Sequence, residues 1–352
     1  MLLISDSDIR QILSMDICVE ELEKAYRELA MGNAVTRPRT HTRVPMPDGR
    51  YYMFKSMEGA TRSTGVMALR ISSDMIQRRN IDGLWRQEKL PVAPGGTFVG
   101  FDLIFSMEDC RLLAIMPDDE IQRMRVAGSA GVATKYLARK DASVLGLFGS
   151  GWQAGSAILA MSAVRKIKKI QVYSTSRERR EAFVNRMRKE TGLLIEAVSS
   201  PDAALAEADI VYEATNSRSP VFDGVRIPRG SHINSISGDA IDETTLKRVR
   251  VIAVRQTQAP LFFTMGDEQV PFESPPLSTV YEDKVCRLAE IISGKEPARL
   301  DDREITLYGC NTGDVGVGIE FAAVCSKVYE LAKTRGLGRE LPEEWFLQDN
   351  NS

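Results

Sequence analysis

A G-x-G-x-x-A pattern in the middle of the chain could bind a phosphate group. The stretch "VLGLFGSGWQAGSAILAM" passes from an apolar segment through this pattern into a run of small residues with helical spacing. Glycine allows a tight turn and lets backbone N–H groups approach a pyrophosphate at the positive end of a helix dipole. The order strand, turn, helix and second strand predicts a dinucleotide site, with a purely structural turn as the alternative. The predicted binding residues are Gly149, Ser150, Gly151, Trp152, Gln153 and Ala154.

The end of the second strand bears on which dinucleotide would bind. A site for NAD usually has Asp or Glu at this point, where the carboxylate binds the ribose hydroxyls. This chain instead has Ser174, Thr175, Ser176 and Arg177. Hydroxyls beside a guanidinium suit a 2′-phosphate, so the sequence favours NADP(H), while NAD(H) stays possible. The alternative is that the arginines of this run form the exposed first turn of a helix.

Two further strand ends carry small and polar residues. In an open parallel sheet, ligands bind beyond the carboxyl ends of the strands. The residues at these ends are Ala214, Thr215 and Asn216 after "DIVYE", and Ser237, Gly238 and Asp239 after "SHINSI". Asp239 is a candidate acid or base at a reacting nitrogen, with capping of the following helix as the alternative. His232 lies within its strand and is expected to be a core histidine.

The pattern of apolar runs predicts the fold that positions these residues. From Val144 onward, short apolar strands alternate with helical stretches, which is typical of a parallel sheet covered on both faces. The earlier region has helices followed by β-type runs with hairpin turns, such as "PDGR", and is predicted to be mostly antiparallel. The charged stretch 74–96 is predicted to be a loop or lid, with solvated surface as the favoured role. The predicted fold class is α/β, a Rossmann-type doubly wound sheet plus an α+β domain.

Composition limits the other function classes. The 352 residues, 43% of them hydrophobic, suffice for two cored domains. A net charge of −2 with interspersed signs argues against a nucleic-acid partner. The chain has no 18-residue apolar run and no signal-peptide pattern at its start, so we expect a cytoplasmic protein without a membrane partner. Five scattered cysteines and two histidines indicate reduced thiols and no metal site.

Longer motifs make the chain similar to a known family. They include "RPRTHTRVPMPDGRYYMF", "MRVAGSAGVATKYLARKDASVLGLFGSGWQA", "ADIVYEATNSRSPVF", "GSHINSISGDAID" and "ISGKEPARLDDREITLYGCNTG". The chain resembles the ornithine cyclodeaminase/mu-crystallin family over almost its whole length. The resemblance implies a homodimer and two domains. A substrate-binding and dimerisation domain would span 1–124, completed by 315–352, and a Rossmann domain would span 125–314.

The resemblance also implies roles for single residues. Arg39 and Arg125 match positions that hold the substrate carboxylate, and Asp239 matches the catalytic acid or base. Arg70 in "GVMALRISS" stands where the family usually has lysine. Arginine can hold a carboxylate but is too basic to exchange protons near neutrality. Lys55, on an adjacent predicted strand, could replace that lysine or could be an exposed strand residue.

The family's members act on α-amino or α-imino acids, so the resemblance implies hydride transfer between nicotinamide C4 and the α-carbon of such a small molecule. Two alternatives stay open: an ornithine cyclodeaminase that uses NAD catalytically, and a mu-crystallin-like protein that binds NADPH or another ligand without turnover. Arg37, Arg43 and Arg50 near Arg39 hint at a second substrate carboxylate, with surface charge as the alternative. Glu320 could replace an acidic residue that the family has before its last helix.

Overall fold

The computed structural model describes residues 1–81, 84–217, 219–236, 238–266, 281–309 and 317–348, with the backbone alone for 79–81 and 84–87. Its strands are β1 (Leu2–Leu3), β2 (Ala34–Thr36), β3 (Thr40–Pro45), β4 (Tyr51–Thr61), β5 (Val66–Ile81), β6 (Leu84–Leu90), β7 (Val99–Ser106), β8 (Leu112–Pro117), β9 (Val144–Phe148), β10 (Lys169–Tyr173), β11 (Ile195–Ala197), β12 (Ile210–Glu213), β13 (His232–Ser235), β14 (Val249–Val254), β15 (Leu261–Thr264), β16 (Val285–Arg287), β17 (Ile305–Gly309) and β18 (Arg339–Glu340). Its α-helices are α1 (Asp6–Ile12), α2 (Met15–Ala30), α3 (Asp118–Leu137), α4 (Trp152–Val164), α5 (Arg177–Thr191), α6 (Pro201–Leu205), α7 (Glu243–Arg248), α8 (Leu288–Ile292) and α9 (Gly318–Arg335).

The chain divides into two compact units. Unit 1 comprises Met1–Arg125, Pro260–Val270 and Gly316–Ser352, and unit 2 comprises Val126–Ala259 and Pro271–Val315. The first division falls within α3, a helix that the sequence analysis did not predict. Each unit has its own sheet.

The sheet of unit 1 is mostly antiparallel, as predicted. Its strands run in the order β15-β3-β4-β5-β7-β8-β1-β18, with β2 beside β4 and β6 beside β5. The hairpin between β3 and β4 closes at the predicted "PDGR" turn, and Pro45 pairs with Tyr51. Helix α9 packs on β4 and β5 and covers this part of the sheet.

Strand pairing places the charged residues of this sheet in rows on one face, since directly paired residues point to the same side. One row has Met57, Arg70 and Asp102 on β4, β5 and β7. The next row has His41, Lys55, Ser72 and Gly100 on β3, β4, β5 and β7, and the third has Arg43, Met53 and Asp74 on β3, β4 and β5. We call these three rows the cationic face.

The predicted loop or lid over 74–96 is wrong for most of its length. Strand β5 continues to Ile81 and pairs with β6 from Leu84 to Leu90, so the stretch forms a hairpin extending the sheet. Burial in β5 alternates up to its middle, with Ser72, Asp74 and Ile76 all buried. The alternation was missed because two of these three buried residues are polar. Within the described part of this stretch, only the turn around the Ala93–Thr97 bridge matches a loop.

Helix α9 begins in direct contact with the backbone of β4. A Cβ on Gly59 would lie 2.4 Å from the carbonyl carbon of Gly318, and a Cβ on Gly318 would be still closer to the backbone of Glu58. The Gly318 N–H donates to the Thr36 hydroxyl at 2.8 Å and satisfies one of the free amides of the first turn. Two glycines therefore set how closely α9 sits on the sheet.

The sheet of unit 2 is parallel throughout its described strands. Its order is β11-β10-β9-β12-β13-β17-β14-β16, and each pairing is parallel. The first five strands have the Rossmann order 3-2-1-4-5, which confirms the predicted class. The apolar spacing of "DKVCRLAEIISG" predicts a single helix, but this stretch forms a 3₁₀ turn, then β16 and the short α8.

Candidate active site

The glycine turn of unit 2 leaves the start of a helix open for an anion. Gly149 follows β9 with φ +111°, and a Cβ there would lie 2.5 Å from the Ala214 carbonyl oxygen, so this position accepts only glycine without strain. Gly151 is the N-cap of α4, has no side-chain cap bond, and a Cβ there would meet nothing within 4 Å. The first turn of α4 has no acidic residue. Free amides, open space and a positive helix end fit a pyrophosphate.

The two glycines should respond differently to alanine substitution. Gly149→Ala combines a left-handed φ with a clash on Ala214, and we expect it to destabilise the fold by roughly 2–5 kcal/mol. Gly151→Ala meets no neighbouring atom, so we expect its melting temperature to stay near that of the parent protein while its affinity for the dinucleotide falls. Thermal melts and titration of NADPH fluorescence would measure both. Equal losses of stability in the two variants would contradict this reading.

The turn after β10 is joined to the glycine turn through hydroxyl groups. The Ser150 hydroxyl donates to the Ser174 hydroxyl at 3.1 Å, and Ser176 caps α5 by accepting from the Arg179 amide. Thr175 is exposed between them. The Arg177 side chain is 82% exposed and pairs with Glu181, an interaction of little net free energy at such exposure. These four predicted residues therefore lie together beside the glycine turn.

The ends of β12 and β13 are linked by a buried carboxylate that the sequence analysis missed. The amide and hydroxyl of Thr215 donate to Glu213 Oε1 at 2.7 and 2.6 Å, and the Ser235 hydroxyl donates to Oε2 at 3.0 Å. Glu213 is fully buried and so fixes the Thr215 side chain. The Ala214 amide donates to the Phe148 carbonyl, which places 214–216 at the same sheet edge as the glycine turn. Ser237, another predicted site residue, lies outside the described residues.

Asp239 is not the N-cap of the helix that follows it. That role belongs to Asp242, whose Oδ1 accepts from the Thr245 amide at 2.7 Å and whose Oδ2 accepts from the Gly224 amide at 2.8 Å. The alternative role given to Asp239 is therefore wrong. Gly238 and Asp239 lie in the turn after β13, and Asp239 is half-buried. His232 is a core histidine as predicted, since burial lowers its pKa to about 3 and its ring bonds Thr306 and Asn234.

Lys55 lies on the cationic face of unit 1, one row from Arg70. Its Nζ donates to Asp74 Oδ2 at 3.1 Å, and its side chain is only 15% exposed. Burial, and then the charge of Lys89, lower the pKa of Lys55 from 10.5 to about 8, while Asp74 opposes this shift. Lys55 is therefore not an exposed strand residue. A mostly buried amine with a pKa of about 8 can exchange a proton close to neutral pH, which Arg70 cannot do.

Arg70 and Arg125 meet at one aromatic ring of α9. The Cζ of Arg125 lies 4.9 Å from the centroid of the Phe321 ring, and that of Arg70 lies 6.0 Å from it. Arg70 donates from Nε to Asp118 Oδ2 at 2.7 Å, and Arg125 donates from Nη1 to Glu320 Oε2 at 2.7 Å. All four charged groups are buried. Each guanidinium has five N–H donors, so these bonds orient the arginines and leave other donors for a ligand.

Four carboxyl groups around these cations differ in what they bind. Glu320 accepts hydrogen bonds from both Arg125 and the Tyr26 hydroxyl, and so holds both of these side chains in place. Burial and the nearby Asp118 raise the pKa of Asp102, which lies beside the Cys325 thiol, well above its usual value. Asp74 and Asp118 are the anions that face Lys55 and Arg70. The cationic face thus carries more positive than negative charge.

Arg39 belongs to the same group of cations. Arg39 directly precedes β3, where its carbonyl accepts from the Leu261 amide. Its charge lowers the pKa of both His41 and Lys55, so its head group lies near them. The structure therefore brings together Arg39, Lys55, Arg70 and Arg125 within unit 1. Sequence reasoning missed His41, Asp74, Asp102 and Asp118, although polar residues at the buried positions of alternating strands are a usable signal.

Two absences concern only the part of the chain that the structure describes. None of its helices has the length and apolarity that crossing a bilayer requires. No group of three His, Cys, Asp or Glu side chains is arranged there to hold a metal ion. Cys18, Cys110, Cys286 and Cys325 are free thiols, and Cys310 lies outside the described residues.

The parallel sheet with its glycine turn defines a dinucleotide-binding protein of the Rossmann class. The model of the ornithine cyclodeaminase/mu-crystallin family matches residues 1–336, and the chain belongs to this family. Its curated relatives include the Δ1-pyrroline-2-carboxylate reductase of Bacillus cereus, 25% identical over 97% of this chain and 99% of the relative. Another is the iminosuccinate reductase of Paracoccus denitrificans, 25% identical over 97% of this chain and 99% of the relative.

A solved structure agrees with these relatives. The Δ1-pyrroline-2-carboxylate reductase of Thermococcus litoralis, in complex with NADH and L-proline, is 29% identical. It matches with a TM-score of 0.79 over 97% of this chain and 100% of the other. The predicted family and fold class are thereby confirmed.

Proposed function

We propose that this chain is an NAD(P)H-dependent oxidoreductase that transfers hydride to or from the α-carbon of an α-imino or α-amino acid. The observation that carries the proposal is the group of three arginines and a lysine of lowered pKa in unit 1, in a chain that also has a dinucleotide turn. The relatives named above reduce cyclic or acyclic imino acids, and one of them was solved with NADH and L-proline. Reaction class and family therefore agree.

The arginines bind the substrate carboxylate in this proposal. Arg39, Arg70 and Arg125 supply guanidinium donors, and the planar geometry of each suits a two-point contact with a carboxylate. Asp118 and Glu320 hold Arg70 and Arg125 in place before substrate arrives. The cost of ordering these long side chains is thus met during folding rather than during binding. The roles of the two units follow in this proposal: unit 1, which includes Arg125, binds substrate, and unit 2 binds the dinucleotide.

Two residues manage protons at the reacting nitrogen. Asp239 stabilises the protonated imine, which is a better hydride acceptor than a neutral imine. Lys55 takes the place of the family lysine that Arg70 has replaced, because its pKa of about 8 permits proton exchange. The bound nicotinamide supplies or accepts the hydride. Thr215, held by Glu213, and Asn216 line the nicotinamide site together with Ala214 and Gly238.

The coenzyme we favour is NADP(H). Residues Gly149 to Ala154 hold the pyrophosphate, and Ser174, Thr175, Ser176 and Arg177 hold the 2′-phosphate in place of the acidic residue typical of NAD sites. Arg177 can exchange Glu181 for a phosphate because its present ion pair is exposed. A catalytic NAD, as in a cyclodeaminase, would suit a carboxylate after β10 better than this hydroxyl-rich turn.

We also infer that the protein is a homodimer assembled through the outward face of the unit 1 sheet. Strand alternation puts Leu261, Phe263 and Phe101 on the face opposite the cationic one, and they are 44%, 57% and 43% exposed. Partly exposed large apolar residues on one sheet face are typical of an interface. Sedimentation equilibrium would report the mass of the assembly.

The test of the proposed function is an NADPH and NADH oxidation screen. The purified protein is offered α-keto acids with ammonia or primary amines, and cyclic imines, at a pH below 8. We expect net coenzyme oxidation, with kcat/KM higher for NADPH than for NADH. Cyclodeamination of ornithine without net change in the coenzyme would favour the first alternative. Coenzyme binding without turnover of any imine in the screen would favour a binding protein.

A further inference from the structure

Two buried polar side chains on the cationic face have no part in the proposed hydride transfer. His41 and Arg43 lie at alternate positions of β3, with exposed fractions of 5% and 7%. Among the described residues, no hydrogen-bond partner is found for either ring nitrogen of His41 or for the Nε of Arg43. Leaving a buried donor unsatisfied costs about 1–3 kcal/mol, and more for a charged group. Such a cost at two neighbouring positions indicates a ligand that meets these donors.

An aromatic ring holds both side chains in place. The Cζ of Arg43 lies 4.4 Å from the centroid of Phe262, and the His41 and Phe262 rings are 4.7 Å apart. Phe262 pairs with His41 across β15 and β3, so the Arg43 head group is displaced toward the row of His41 and Lys55. The cation–π contact offsets part of the cost of burying the charge but gives the guanidinium no acceptor.

Of the three arginines that hinted at a second carboxylate, the structure distinguishes Arg43. Arg37 pairs with Glu58, and its side chain is 60% exposed. Arg50 pairs with Asp48, and its side chain is 39% exposed. Surface charge therefore explains both of these. Arg43 has no carboxylate within ion-pairing distance in the described part of the chain, because Asp74, on the same row, is bound by Lys55 and Lys89.

We propose that His41 and Arg43 form a subsite for a second carboxylate, so that the substrate is a dicarboxylic α-imino or α-amino acid. The inference rests on the proposed function and adds the substrate class to it. Arg43 binds the distal carboxylate with two parallel N–H donors, and His41 donates one ring N–H to it. The α-carboxylate remains with Arg39, Arg70 and Arg125. Same-face rows are about 6.8 Å apart along a strand, so the two groups of cations are separated along one molecule rather than stacked on one carboxylate.

His41 acts as a neutral donor in this subsite. Burial, then the charges of Arg39, Lys55, Arg43 and Arg70, lower the pKa of His41 to about 2. The positive charge of the subsite therefore comes from Arg43 alone. Family membership does not decide the substrate class, because the relatives include reductases of a cyclic monocarboxylic imine and of iminosuccinate, a dicarboxylic one.

The test is calorimetric titration of the NADPH-loaded protein with pairs of amino acids of nearly equal shape. L-Aspartate is compared with L-asparagine, and L-glutamate with L-glutamine; none of them exchanges hydride with reduced coenzyme. We expect one acidic member to bind at least about tenfold more tightly than its amide. Arg43→Gln should weaken that acidic ligand about 100-fold and the amide little, while Arg43→Lys keeps the preference for acid at lower affinity. Arg50→Gln is the matched control and should bind like the parent protein.

The outcomes separate this inference from the proposed function. Equal binding of acid and amide by the parent protein, no binding of any of the four, or equal weakening of both partners by Arg43→Gln would each overturn the second-carboxylate subsite. An Arg43→Gln protein that does not fold would leave the decision to Arg43→Lys, whose binding must still favour the acid. Acid-selective binding in a protein that oxidises no imine would support the subsite and refute the hydride transfer. Reduction of monocarboxylic imines at rates that do not change on substitution of Arg43 would support the hydride transfer and refute the subsite.

Discussion

Replacing Asp239 with alanine is expected to lower kcat by roughly 10²–10⁴ while leaving the melting temperature close to that of the parent protein. In the proposed reaction the Asp239 carboxylate stabilises the positive nitrogen of the imine. The methyl group of alanine cannot replace that charge. The helix that follows keeps its cap, because Asp242 rather than Asp239 accepts from the Thr245 amide. Steady-state kinetics and thermal melts of the same preparations measure the two effects.

Asp242→Ala is the matched control, three residues away. It removes the cap of α7 and the acceptor of the Gly224 amide, so we expect a loss of roughly 1–3 kcal/mol in the free energy of unfolding. Its kcat, measured well below its melting temperature, should stay near the parent value. The proposal for Asp239 would be untenable if the two variants exchanged these effects, with Asp239→Ala unstable but active.

The second large effect concerns Lys55 and is visible in pH profiles. Only the ammonium form carries a proton to donate, so kcat/KM for imine reduction should fall as pH rises through about 8, the pKa of this lysine. Lys55→Gln should lower kcat/KM by roughly 10²–10⁴ and remove this limb of the profile. The groups that face the amine are Asp74 on β5, Lys89 on β6, and Arg39 and His41 at β3.

Lys89→Gln is the control for titration of Lys55, because a merely structural role of Lys55 would not produce the shift in pH profile expected for this variant. Lys89 lies at the edge of this group, 43% exposed, and its charge lowers the pKa of Lys55. Removing that charge should move the descending limb to higher pH while kcat at its plateau is retained. A limb that stays in place in Lys89→Gln, or one that persists in Lys55→Gln, would assign the titration to another group.

The free energy of unfolding should also depend on pH through Lys55, and the pKa of this lysine gives the sign of that dependence. The folded-state pKa of about 8 is below the unfolded value of 10.5, so the unfolded chain binds more protons between these values. The free energy of unfolding contributed by this group therefore rises with pH across that window, by an amount on the order of 3 kcal/mol, and is lowest below pH 8. Urea titrations of the parent protein and of Lys55→Gln, at pH 7.5 and 10, would measure whether the rise disappears in the variant.

The sequence predicts those features that depend on local pattern. Gly149 and Gly151 could be recognised because a turn between a strand and a helix is encoded within a few residues. The hairpin turn at "PDGR" is likewise encoded within a few residues, and it predicted that Lys55 lies on a strand beside neighbouring strands of the sheet. The class of each sheet also follows from local alternation, since buried parallel strands are continuously apolar and hairpin strands alternate.

What the sequence could not supply depends on pairing between distant segments. The contact of Arg70 with Asp118 requires the register of β5 on β7 and the start of α3, which no local pattern encodes. The meeting of Arg125 with Glu320 joins segments 195 residues apart. Arg43 and Arg50 look alike in the sequence, and only burial separates them. The hairpin of β5 and β6 was predicted to be a loop because its charges obscured the strand pattern.

The close approach of Gly59 and Gly318 has a consequence for recognition at a distance. Glu320 and Phe321 follow Gly318 within the first turn of α9, and they contact Arg125 and Arg70. One added methyl group at either glycine would displace that turn from the strand and move both guanidinium groups together. A change in substrate preference could therefore arise from a position that never touches substrate. Directed evolution of specificity should sample the residues that pack beneath the helix as well as the side chains above the sheet.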